Sequence, residues 1–168
     1  MIGISFDLRG ANEAIRTLRQ VGLNVRDFRP AWKEFTPILV EQNKQIFEAE
    51  GPPGAPWAEL TPRYKAKKAH SKYAAKPKLQ LGGTLYRSMT TKHGKNAVRV
   101  SKQHFFAFGT SVHYAASHNY GYAARNLVAR PFIGMLENTM LQLGLILVRH
   151  MIKGTRFTMA GEPTITRS

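Results

Sequence analysis

The side chains able to do chemistry in this chain are six histidines, a serine set beside two of them, and a run of lysines interrupted by tyrosines. Two histidines converge on a metal from one helix face when three residues separate them. His70, His93, His104, His113, His118 and His150 contain no such pair, so no metal site is expected. His113 and His118 flank Ser117, but neighbours in sequence are not a hydrogen-bonded base and nucleophile, and packing or surface polarity is the preferred reading. Gly82-Gly83 is followed by Thr84-Leu85 rather than by the Lys and Ser or Thr of a phosphate loop, which leaves nucleotide binding without support. General acid–base work on sugars or peptides needs placed carboxylates, and between Leu60 and Leu136 there is no Asp or Glu. The chain has no cysteine, which removes disulfides, thiolate catalysis and cysteine zinc sites. The expectation is a protein that is not an enzyme and that uses no cofactor.

The acid-free stretch is instead rich in positive charge. It carries fourteen Lys or Arg residues, while the eleven others nearly balance the ten acids, so one segment supplies almost all of the net charge of +15. Such asymmetry calls for an acidic partner: nucleic acid, an acidic protein ring, or the neighbouring copy of this chain. From Arg63 to Tyr73, cations and aromatics alternate, a combination that nucleic-acid binders use for backbone contact and base stacking. A solvated helix face that docks on acidic protein is the alternative, and it is preferred because no recognised DNA-binding motif accompanies the run. Arg63, Lys65, Lys67, Lys68 and Lys72 are the candidate contacts.

These residues need elements to position them. With 168 residues, 43% of them hydrophobic, the chain can bury one sizeable core, and a single domain over 1–154 with a tail or arm at 155–168, ordered on a partner, is expected. Ile2 to Leu8 alternates as a strand does, and Ala11 to Val21 reads as an amphipathic helix stopped at Gly22. Asp27 is placed to cap a second helix with Pro30 in its first turn, and Pro37 predicts a kink or a later start. On this helix Glu34, Glu41 and Glu48 form an acidic stripe. The Gly51 to Pro56 segment ends it, and Thr61-Pro62 opens a basic helix through roughly Ala75. Lys78 to Met89 is punctuated by glycine; Thr90 to Lys102 predicts a hairpin turning at His93 to Asn96, with Val98 and Val100 facing the core. Phe105, Phe106 and Phe108 predict a strand, and Tyr114 to Gly121 a short helix. A last helix is expected from Pro131 to about Lys153, stopped by Gly154. It is apolar nearly all round, more than one core-facing stripe needs, which suggests a subunit contact. The N-terminus lacks the pattern of a signal peptide, and Glu137, Asn138 and Gln142 break the longest apolar region, so no membrane segment is expected and synthesis in the cytoplasm is.

Four strings in order carry a family resemblance: Glu50-Gly51-Pro52-Pro53-Gly54 with Trp57 and Leu60 before a lysine-rich segment; Leu81-Gly82-Gly83-Thr84-Leu85-Tyr86-Arg87-Ser88; Tyr114-Ala115 with His118 and Gly121; and Ala129-Arg130-Pro131-Phe132-Ile133-Gly134. Together they resemble the phage virion morphogenesis, or tail-completion, family of tailed phages, over about Glu50 to Leu136. Gly82 stands where threonine or serine is usual, and Val128 where proline commonly precedes the last string. Physical chemistry gives these positions scaffold roles: Gly82, Gly83 and Gly121 allow tight backbone, and Trp57 and Phe132 fill core. Leu85, Tyr114 and Pro131 belong to the same frame. Arg130 is placed either to brace the neighbouring loop or to reach an adjacent subunit, with bracing preferred.

The resemblance implies an α+β fold, a small twisted and mainly antiparallel sheet packed by helices, tail-terminator-like and assembling as a ring, expected as a hexamer. It implies a virion protein of the neck or tail that finishes the tail tube and docks the DNA-filled head. Its partners would be its own copies, neck or connector proteins, tail-tube proteins, and genomic DNA in passage. Around a closed ring the contacts are heterologous, and the acidic stripe and the basic segment from Arg63 to Lys78 are candidates for the two opposed faces. The alternative function is a small basic nucleic-acid-binding protein; an enzyme such as a nuclease or lysis factor ranks last.

Overall fold

The structure, a computed structural model, describes residues 11–155, so the strand expected at Ile2–Leu8 and the tail after Thr155 lie outside the described residues. Helix α1, Ala11–Asn24, passes through Gly22 and stops two residues later than the glycine suggested, since one glycine costs a helix only about 1 kcal/mol. At its end the Asn24 amide donates to the carbonyls of Met151 and Lys153, both at 2.8 Å. Helix α2, Arg29–Glu48, has Phe28 rather than Asp27 at its N-cap and holds Pro30 in its first turn. Asp27 works from one residue further out, its Oδ1 accepting from the Arg29 N–H at 3.0 Å. The helix neither begins at Pro37 nor breaks there. The proline removes one backbone donor, but Phe35, Leu39, Ile46 and Phe47 bury one long face on either side of it, and tertiary packing outweighs that single loss.

At the end of α2 the chain turns through Gly51 (φ 152°), where a Cβ would lie 2.6 Å from the Pro56 Cα, so only glycine fits. The Trp57 N–H donates to Glu50 O at 2.7 Å and closes the turn. Helix α3, Pro62–Ala69, is capped as expected, with Thr61 accepting from the Tyr64 N–H. It ends short of Ala75 because Ser71 takes the Lys68 carbonyl with both its N–H, at 3.0 Å, and its hydroxyl, at 2.7 Å. Helix α4, Thr84–Thr90, starts from left-handed Gly83; two turns are too short for apolar periodicity to announce.

The sheet is one antiparallel pair, β1 (Ala97–Ser101) with β2 (Phe106–Thr110). The hairpin expected over Thr90 to Lys102 is therefore displaced. Thr90 ends α4, His93 to Asn96 form the link into β1, and the real turn closes with Lys102 N–H donating to Phe105 O at 2.8 Å. Register pairs Arg99 with Phe108 and Ser101 with Phe106, while Val98 and Val100 pair with Gly109 and Ala107. Paired residues share a face, and Phe106 and Phe108 are the ones packed on the core. Arg99 thus occupies the helix-facing side, and Val98 and Val100 the opposite one, contrary to expectation.

After helix α5, Ala115–Tyr120, comes a 3-10 turn, Ala123–Arg125. Helix α6, Glu137–Ile152, begins six residues after Pro131, so proline is not its first position. Two apolar clusters share α2 as their common wall. Phe35, Leu39 and Ile146 form one, and Phe47, Trp57, Leu85, Met89 and Phe132 are central to the other. The result is a single-domain α+β fold with a small antiparallel sheet packed by helices.

Candidate partner-binding cleft

The Arg130 to Leu136 string is extended because its backbone is held by side chains from distant elements. Asn119, itself buried, accepts from the Phe132 and Ile133 N–H groups at 2.9 and 3.0 Å through one Oδ1. Trp57 Nε1 donates to Pro131 O at 2.7 Å. Gln42 donates to Gly134 O at 2.8 Å and accepts from Leu136 N–H at 3.1 Å. Satisfied in this way, the segment has no need of helical hydrogen bonds. Arg130 is buried; its Nε donates to Ala58 O at 3.1 Å and its Nη2 to Glu59 O at 3.0 Å. Of the two uses open to this residue, the side chain makes the in-chain one, bracing the loop that carries Trp57.

Beside this string lies a cleft of about 690 Å³, enclosed by residues from 60–64, 78–85, 114–118 and 125–130. Each of the four family-like strings lends at least one residue to it: Leu60, then Leu81 to Gly83 with Leu85, then Tyr114 and His118, and Arg130. A volume of this order is typical of binding sites. Its walls are leucines, Val128 and two tyrosines, and every formally charged residue lining it is a cation. Lys78 is neutralised there, its Nζ lying 2.6 Å from Glu59 Oε1 and 3.1 Å from Glu50 Oε2. The hydrogen bond to Glu59 raises the Lys78 pKa, and the same bond lowers that of Glu59. Arg63 and Arg125 are exposed and make no ion pair among the described residues. His118 packs edge-on to Tyr114 with its Nδ1 buried and unpartnered; burial first, then the charge of Arg130, pushes its pKa down. No hydrogen bond joins Ser117 to either neighbouring histidine among the described residues. Gly121 (φ 81°) is required where the chain passes below the cleft, since a Cβ would sit 3.0 Å from Leu127 O. Gly82 has open space around it, so a threonine or serine there would meet no obstacle.

The remaining expected residues lie on separate surfaces. Glu34, Glu41 and Glu48 are exposed on α2, where Glu34 accepts from Arg149 on α6 at 3.1 Å. Arg63, Lys65 and Lys67 are exposed on α3, Lys72 follows them, and Lys68 turns back to donate to the Lys76 carbonyl. Trp57 and Phe132 are buried in the core, as are Leu85 and Ala115.

Sequence reasoning passed over Asn119, Gln42 and Arg99. Arg99 lies 3.7 Å over the Phe108 ring, and its Nη2 donates to the carbonyls of Ser88 (2.8 Å), Met89 (3.2 Å) and Thr91 (3.0 Å), fastening the end of α4 to the sheet. A lone arginine between two valines gave no sign of this. The one available signal was strand alternation, which places Arg99 opposite to its neighbours.

Fold and cleft together define a small single-domain α+β protein organised around one extended string. The chain belongs to the phage virion morphogenesis family, whose sequence profile matches residues 7–151. That membership carries a phage structural or morphogenesis role and association with the virion. No curated protein and no solved structure matches the chain. No helix among the described residues is long and apolar enough to cross a membrane.

Proposed function

We propose that this chain is a structural, non-enzymatic virion protein that completes the tail and joins it to the head as a ring, a hexamer being the expected form. The observation that carries the reading is the solvent-facing side of α6. Met140, Leu141, Leu145 and Val148 are 55%, 63%, 53% and 39% exposed on consecutive turns, and a contiguous apolar patch of this kind marks an association surface. The acidic face of α2 and the basic face of α3 supply two unlike surfaces, which a heterologous ring contact uses. The mechanism is geometric: copies made in the host cytoplasm close on the end of the tail tube, stop its growth, and present a surface to neck or connector proteins of the filled head, with genomic DNA passing through.

Electron microscopy of lysates from the parent phage lacking this gene tests the reading. Filled heads beside separate tails are expected, and normal infectious virions would overturn it. Reversing Glu34, Glu41 and Glu48 to lysine should weaken assembly and change its salt dependence; no effect on either removes that charge pairing. A nucleic-acid-binding reading draws on the exposed cations of α3 and on Tyr64, 42% exposed among them. It predicts binding that falls steeply with salt and an oligomeric state that depends on nucleic acid.

A further inference from the structure

The cleft and the exposed start of α6 are complementary surfaces of one chain. The cleft has apolar walls, and Arg63 and Arg125, which are in no ion pair among the described residues, make it attractive to a carboxylate set among apolar side chains. The segment from Ile133 to Leu141 has that composition. Ile133, Met135, Met140 and Leu141 are 40%, 42%, 55% and 63% exposed, and Glu137 in their midst is an exposed carboxylate in none of the ion pairs among the described residues. The segment cannot fill its own cleft. Gln42 on α2 holds it at Gly134 O and Leu136 N–H, and none of its residues lines the cavity.

We propose that the cleft is the socket of a head-to-tail contact and that its occupant is the Ile133–Leu141 segment of a second copy, with Glu137 facing Arg125 and Arg63. The proposal rests on the ring reading and gives that ring its contact. Used head to tail, a socket and a plug on different parts of the same chain generate a closed ring or an open filament. The apolar surface thereby removed from water drives association, and the carboxylate–guanidinium pairs fix its register.

The test measures the mass of the purified full chain in solution by mass photometry for four proteins: wild type, Arg125→Glu, Glu137→Arg, and the variant carrying both. Both positions are exposed, and thermal melting confirms that each variant folds. The expected result is a ring for wild type, monomers for each single reversal, and the ring restored when both are reversed. Because the chain has no cysteine, a second measurement is clean: Val128→Cys with Met135→Cys, joined by a short bis-maleimide, should give a ladder of cross-linked copies that neither single cysteine gives. A wild-type ring with unchanged assembly in both single reversals and no ladder overturns this contact while the ring reading stands. Single reversals that leave the ring intact but separate heads from tails in lysates overturn self-docking in favour of another virion protein in the cleft. A wild-type chain that stays monomeric overturns the contact and the ring together.

Discussion

Asn119 holds two backbone N–H groups with a single oxygen, and its truncation leaves both without that partner, the Phe132 N–H in a buried site and the Ile133 N–H in a part-buried one. Asn119→Ala should lower stability by about 2–4 kcal/mol in denaturant unfolding, whereas Asn138→Ala, at an exposed position, should change it by less than about 0.5 kcal/mol. Arg99→Met removes both the guanidinium over Phe108 and the donors at the end of α4; a loss of about 3 kcal/mol is expected by the same measurement. His118 gives a pH signature. Its folded pKa lies below the ordinary 6.5, so between those two values the unfolded chain binds more protons. Stability is therefore lost as pH falls below about 6.5 and levels off beneath the folded value. His118→Gln should flatten that part of a stability-against-pH curve. Trp57 and Phe132 were readable as core from their apolar bulk. Asn119 was not, because its role depends on residues thirteen and fourteen positions on, and nothing in a polar side chain within a short helix points to them.

Helices with long apolar periodicity were legible at the scale of elements, which is why α2 and the body of α6 lie where their spacing puts them. Boundaries were not, wherever a distant side chain sets them. Pro131 has the local signature of a first helical position, yet Trp57, Asn119 and Gln42 satisfy the backbone around it in an extended form. The displaced hairpin has the same origin: Gly94 and Asn96 look like a turn, and they make one, but between α4 and β1 rather than between strands. Gly22 and Gly144 lie inside α1 and α6 with nothing within 4 Å of an added Cβ. Alanine at either position should raise stability by about 0.5–1 kcal/mol, read as a higher melting temperature.

Across the whole molecule, the charge distribution was fully legible, but its expenditure was not. Lys78 is neutralised by two carboxylates, while Arg99 and Arg130 are turned inward onto carbonyls; among the cations left facing solvent, Arg63, Lys65 and Lys67 follow one another on α3. That helix buries no side chain at all. Hydrogen exchange in deuterated buffer should therefore separate the fold into two regimes. Amides of 63–69 should exchange almost as fast as those of an unfolded peptide, while those of Phe35 to Phe47 exchange only when the whole domain opens. With that outcome, this basic helix melts and re-forms without disturbing the core. An acidic partner would then announce its arrival as newly slowed exchange in that one stretch.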